Sequence, residues 1–153
     1  MRSPAVRIGA GMSSPGPDDP LTALNLVLSE VIDGVLDVRQ AVRRVPGTHA
    51  LHGVLDKLFV DLRAWARLLA DQDLGHGVSP LASMSTATSR TPPHSWHGPA
   101  SDEEVRRMVG EDLDRLGQHL AAALAEQRDD QVRAALAEVE RGLQVNRQAL
   151  SEL

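Results

Sequence analysis

The sequence predicts an all-α fold, a single bundle of four long helices with one long crossover connection between the second and the third. Three observations predict it. Leu and Val recur every three or four residues through four separate stretches, the spacing of a buried helical stripe. Aromatic residues make up only 2% of the chain, so Leu, Val and Ala must fill the core, which suits helices better than a sheet. The connections between the stretches are short, long and short in turn. At 153 residues the chain fits one domain with a sizeable core.

Residues 1–18 are rich in Pro, Gly and Ser without a hydrophobic period, and read as a mobile tail ahead of a bundle spanning 19–153. Asp19 followed by Pro20 opens the first helix, a capping carboxylate before a residue suited to the first helical position. Its seam is Leu21, Leu24, Leu28, Val31, Val35, Val38, Val42 and Val45, which Ile32 and Leu36 widen. Arg43 and Arg44 suit its negative C-terminal end, and Pro46-Gly47 stops it. The second helix is expected from about Thr48 to Asp73, on a stripe of Leu51, Leu55, Leu58, Leu62, Ala66 and Leu69. So short a turn makes the two helices antiparallel neighbours.

From Leu74 to Ser101 the pattern breaks into Gly, Pro, Ser and Thr, with room for a helical turn or two between Leu81 and Ala87. A connection this long inside a compact domain calls for a structural reason. Its His94-Ser95-Trp96-His97 has metal-binding residue types without flanking ligands, and reads as loop with Trp96 packed on the body. Ser101 to Glu104 is a capping box opening the third helix, with a stripe of Val105, Val109, Leu113, Leu116, Leu120 and Leu124 beside a partly buried His119. Asp129 caps the fourth, whose seam runs through Val132, Leu136, Val139, Leu143, Asn146 and Leu150. Asn146 is placed to fix pairing register.

The bulk properties exclude several classes. A formal charge of −5 argues against a protein that coats nucleic acid with its whole surface. The absence of cysteine excludes disulfides and thiolate chemistry. No apolar run approaches the roughly 20 residues that span a bilayer, and the N-terminus lacks a signal-peptide core, so a cytoplasmic protein is expected. No nucleophile–base pair or phosphate loop marks another enzyme class. One long middle connection is the mark of the ferritin-like bundle, where it crosses the length of the molecule.

Along one flank of the second helix His52 and Asp56 stand one turn apart, with Arg67 and Asp71 further along the same flank. A His and a carboxylate so spaced can bind metal inside a bundle, or simply hydrogen-bond at its edge. The segment Leu51-His52-Gly53-Val54-Leu55-Asp56 resembles the Leu-His-x-x-x-Asp that opens the second helix of the Dps mini-ferritins, and Gly77 to Ala82 is similar to the start of their short crossing helix. The resemblance covers residues 21–153 in helix order, loop lengths and size. It implies a homo-oligomeric cage of the dodecameric kind, iron as the stored and oxidised metal, association with DNA, and a cytoplasmic, nucleoid-associated place. Residue by residue it makes His52, Asp56 and Asp71 iron ligands. It departs at two positions: Arg67 stands where the family has a carboxylate, and Gln40 where it has a histidine. A fixed positive charge repels iron(II), which needs several oxygen and imidazole ligands, so the ferroxidase activity is expected to be degraded. The charge and a tail with two arginines make any DNA binding weak. The residues alone leave open a four-helix structural or interaction protein without iron chemistry.

Overall fold

The computed structural model describes residues 20–77 and 96–153, with the side chain of Pro20 left aside. Within them lie α1 (Pro20–Arg44), α2 (Ala50–Gly75), α3 (Asp102–Glu126) and α4 (Asp130–Ser151). The tail at 1–18, the proposed turns between Leu81 and Ala87, the remainder of the 77–82 segment and His94 lie outside the described residues.

Each helix end follows from its local chemistry. Pro46 C=O accepts the amide of His49 at 2.9 Å, so Gly47 and Thr48 form the turn and α2 begins at Ala50, two residues later than expected. His49 occupies the cap without a capping side-chain bond. At the other end Gly77, at φ +74°, closes the helix in the left-handed conformation that glycine adopts without strain. The capping box of α3 is complete: Ser101 Oγ accepts from Glu104 N at 3.2 Å, and Glu104 Oε2 accepts from Ser101 N at 2.9 Å. Asp129 Oδ1 accepts from Gln131 N and Val132 N at 3.0 Å each, starting α4.

α1 packs on α2 and α3, and α4 on the same two, so α2 and α3 are diagonal. Three contacts fix the directions. Arg44, at the end of α1, bonds Trp96 O and Gly98 O just before α3. His76, past the end of α2, reaches Asp129 at the start of α4. His49 and Asp102, at the starts of α2 and α3, meet at 2.8 Å. α2 and α3 therefore run parallel, and the chain between them must travel back along a 26-residue helix, about 39 Å at 1.5 Å per residue. That is the physical reason for the long connection.

The core is leucine and valine from all four helices, as the stripes predicted, with Val35, Val42, Ala66 and Leu124 at its margin. Trp65, which the α2 stripe read from the sequence leaves out, is also in the core: it is 6% exposed, because Gly142 opens a notch for it in α4, where a Cβ would lie 2.5 Å from the indole. Asn146, buried one turn along, donates to Asp61 Oδ2 at 2.8 Å and Gly142 O at 2.9 Å, which ties α4 to α2 in one register. No helix among the described residues is long and apolar enough to cross a membrane.

Candidate metal centre

Trp65 and Asp61 mark the side of α2 that meets α4. His52, Asp56, Arg67 and Asp71 share the opposite flank, beside α1, because spacings of four, eleven and fifteen residues all return to one side of a helix. His52 is half-buried, and Asp56, Arg67 and Asp71 are exposed. Among the described residues none of the four side chains has a hydrogen-bond or ion-pair partner. His52 and Asp56 are brought together on one turn. Asp71 is not brought to them: fifteen residues of helix put it roughly 22 Å from Asp56 along the axis. No group of three or more His, Asp or Glu among the described residues is placed to hold a metal ion. Gln40 is occupied, its Oε1 accepting from Arg44 Nη1 at 2.9 Å.

The same flank continues onto α1 as one outer face. Leu36 is 52% exposed and Val60 61%, with Ile32 and Phe59 half-buried between them. Arg39, Arg43 and Arg63 are exposed around this apolar centre, and Arg63 lies 5.7 Å over the Phe59 ring. The α2 charges have an internal symmetry. His52 and Asp71 are equally distant from the point between residues 61 and 62, and so are Asp56 and Arg67.

Sequence reasoning missed a second polar group, inside the bundle. Glu30, Asp33 and Asp37 of α1 are 8%, 8% and 3% exposed, and Glu30 and Asp37 meet groups of α3. Arg115 Nη1 lies 3.5 Å from Asp112 and 4.0 Å from Glu30, and His119 Nδ1 lies 3.4 Å from Glu30. Burial, and then a hydrogen bond to Asp37, push the Asp112 carboxyl up to about 8. The signal was present as three acids spaced three and four apart beside an apolar stripe, which on most helices is a solvated flank. Asp73 at the end of α2 is also buried, with neither carboxylate oxygen hydrogen-bonded. Desolvation raises it to about 6, against the pull of nearby His76. The His76 ring is raised by its bond to the Gln72 carbonyl and then by Asp129.

Among solved structures, a Dps from Microbacterium arborescens in its high-iron form superposes on this chain with a TM-score of 0.76. The match covers 88% of this chain and 93% of that one, at 22% identity. The fold is that of the Dps mini-ferritins. The four described helices, with their parallel α2–α3 pair, thus have the arrangement of the ferritin-like bundle that the sequence predicted. No protein-family model matches the sequence, and no curated protein matches it.

Proposed function

We propose that the chain is a subunit of a Dps-like homo-oligomeric cage whose inter-subunit iron position is held by an ion pair instead of iron. The supporting observation is the symmetry of the α2 flank. If two copies set their α2 helices antiparallel about the point between residues 61 and 62, Asp56 of one meets Arg67 of the other, and His52 meets Asp71. The same contact covers Leu36, Val60, Ile32 and Phe59, whose exposure is otherwise unfavourable. His52, Asp56 and Asp71 are then the remaining iron ligands of the family, gathered from two chains, with the Arg67 guanidinium supplying the charge that iron supplies elsewhere.

Iron(II) is thus a poor substrate for this cage, and DNA a weak, salt-sensitive partner in the cytoplasm or at the nucleoid, since the net charge is −5. The test is aerobic iron(II) oxidation. The unaltered chain is expected to oxidise iron little faster than buffer, whereas Arg67→Glu combined with Gln40→His restores a carboxylate and an imidazole and accelerates it. An assembled double variant that oxidises iron no faster than buffer would overturn this placement of the site. Rapid oxidation by the unaltered chain would overturn the ion-pair reading.

A further inference from the structure

The outer face of α1 and α2 is opposite in charge to the chain. The chain carries −5, yet this face exposes Arg39, Arg43, Arg63 and Arg67 against Asp56 and Asp71. The acids of α1, Glu30, Asp33 and Asp37, are all buried. On α2, Asp73 is buried as well, and Asp61 is paired with Lys57. Among the described residues none of the four guanidiniums has a hydrogen-bond or ion-pair partner. Arg63 lies 5.7 Å over the Phe59 ring, a stacking that holds the group in place and leaves its donors open.

Facing water, such an excess is screened. It becomes a difficulty once a copy of the same face is laid over it, in the self-contact of the proposed cage on which this inference rests. There Arg67 of one copy meets Asp56 of the other and Asp71 meets His52, which uses both carboxylates. Arg39, Arg43 and Arg63 of each copy are left without one. Arg63 stands one and a half residues from the two-fold point, so the two Arg63 groups come within about 4.5 Å of each other along the helix axis. Covering Leu36 and Val60 also removes the water that screens these charges.

We propose that an oxyanion of the phosphate class closes this contact, held at the two-fold point by Arg63 of both copies, with Arg39 and Arg43 supplying the positive rim around it. The planar fork of a guanidinium matches an edge of two phosphate oxygens, so one ion bridges the two chains and cancels the repulsion between them. Neither chain holds this site alone, because each supplies half of it.

The experiment titrates inorganic phosphate into the intact protein by calorimetry, in chloride buffer of constant ionic strength at neutral pH, and follows assembly by sedimentation in the same buffers. Phosphate should bind saturably at low millimolar concentration, one ion to two chains. It should tighten assembly by about tenfold or more, the effect of one charge-assisted hydrogen bond. Arg63→Gln should abolish the binding and, by removing the facing charges, assemble more tightly than the parent in chloride. Arg141→Gln, at an exposed arginine of α4, should change neither. A short DNA duplex should not replace phosphate, because the face is covered; a duplex that does so overturns the site. Leu36→Asp separates this inference from the contact beneath it, and Val60→Asp carries the same test should Leu36→Asp lose its helical circular dichroism. A folded variant that keeps the parent's mass shows that the self-contact is wrong, and the inference falls with it. Disassembled subunits that still take up phosphate overturn the two-copy site while leaving the contact intact. A parent that binds no phosphate, or binding that survives Arg63→Gln, overturns it equally.

Discussion

The two seams on opposite sides of the bundle are built by opposite means. Between α2 and α4 a large side chain fills a notch left by a glycine, and one buried amide, Asn146, bonds Asp61, itself paired with Lys57. Between α1 and α3 carboxyl groups occupy interior positions, with Arg115 and His119 beside them and the Asp112 carboxyl raised to about 8. At Trp65 and Gly142 the first seam depends on shape. The second holds Asp112, a carboxyl raised to about 8, so protonation enters its strength.

The comparison can be broken most forcefully at the shape-dependent seam. Trp65→Ala leaves a cavity and should cost about 3–5 kcal/mol in urea denaturation. Gly142→Ala forces the indole out of its notch and should cost about 1–3 kcal/mol. The double variant should lose less than the sum, because removing the indole makes room for the new Cβ. Neither loss should vary with pH.

Buried acids predict the reverse dependence. Asp73 has a folded pKa of about 6 against an ordinary 3.8, so between these values the native state holds a proton that the unfolded chain has lost. Stability from this group is full at low pH and is lost as pH rises through about 6. Asp73→Asn should leave stability unchanged near pH 4 and raise it by about 2 kcal/mol above pH 7, as read from urea midpoints across pH. Asp112, raised to about 8, acts with the same sign over a wider window, so Asp112→Asn should flatten the profile further. A stability curve that rises through this range in the parent and falls in the variants would reverse the assignment. Smallest is the start of α3, where Ser101→Ala removes one half of the capping box and should cost about 1 kcal/mol at every pH.

How much was legible follows the same division. The α4 seam was read residue by residue, including Asn146, because apolar period and a lone polar interruption are both local signals. The capping box and the Asp129 cap were legible for the same reason. Trp65 was left out of the α2 stripe because its burial depends on Gly142, which lies far along the chain and makes room by having no side chain. The acids of α1 were passed over because sequence shows where a carboxylate sits on its own helix but not that Asp112 of another helix closes over it. His52 and Asp56 were placed correctly on one turn, yet Asp71 could not be joined to them, since helix length alone keeps them apart within a chain.

Everything proposed for the α2 flank rests on a second copy covering it, so a contact-breaking change must show in the assembly. Leu36→Asp, at the exposed apolar centre of that face, should reduce the oligomer without loss of helix. The most direct measurement is the mass of the unaltered protein in solution, by sedimentation equilibrium at micromolar concentration and physiological salt. The account predicts a closed oligomer well above a dimer. A monomer or dimer under those conditions would contradict it.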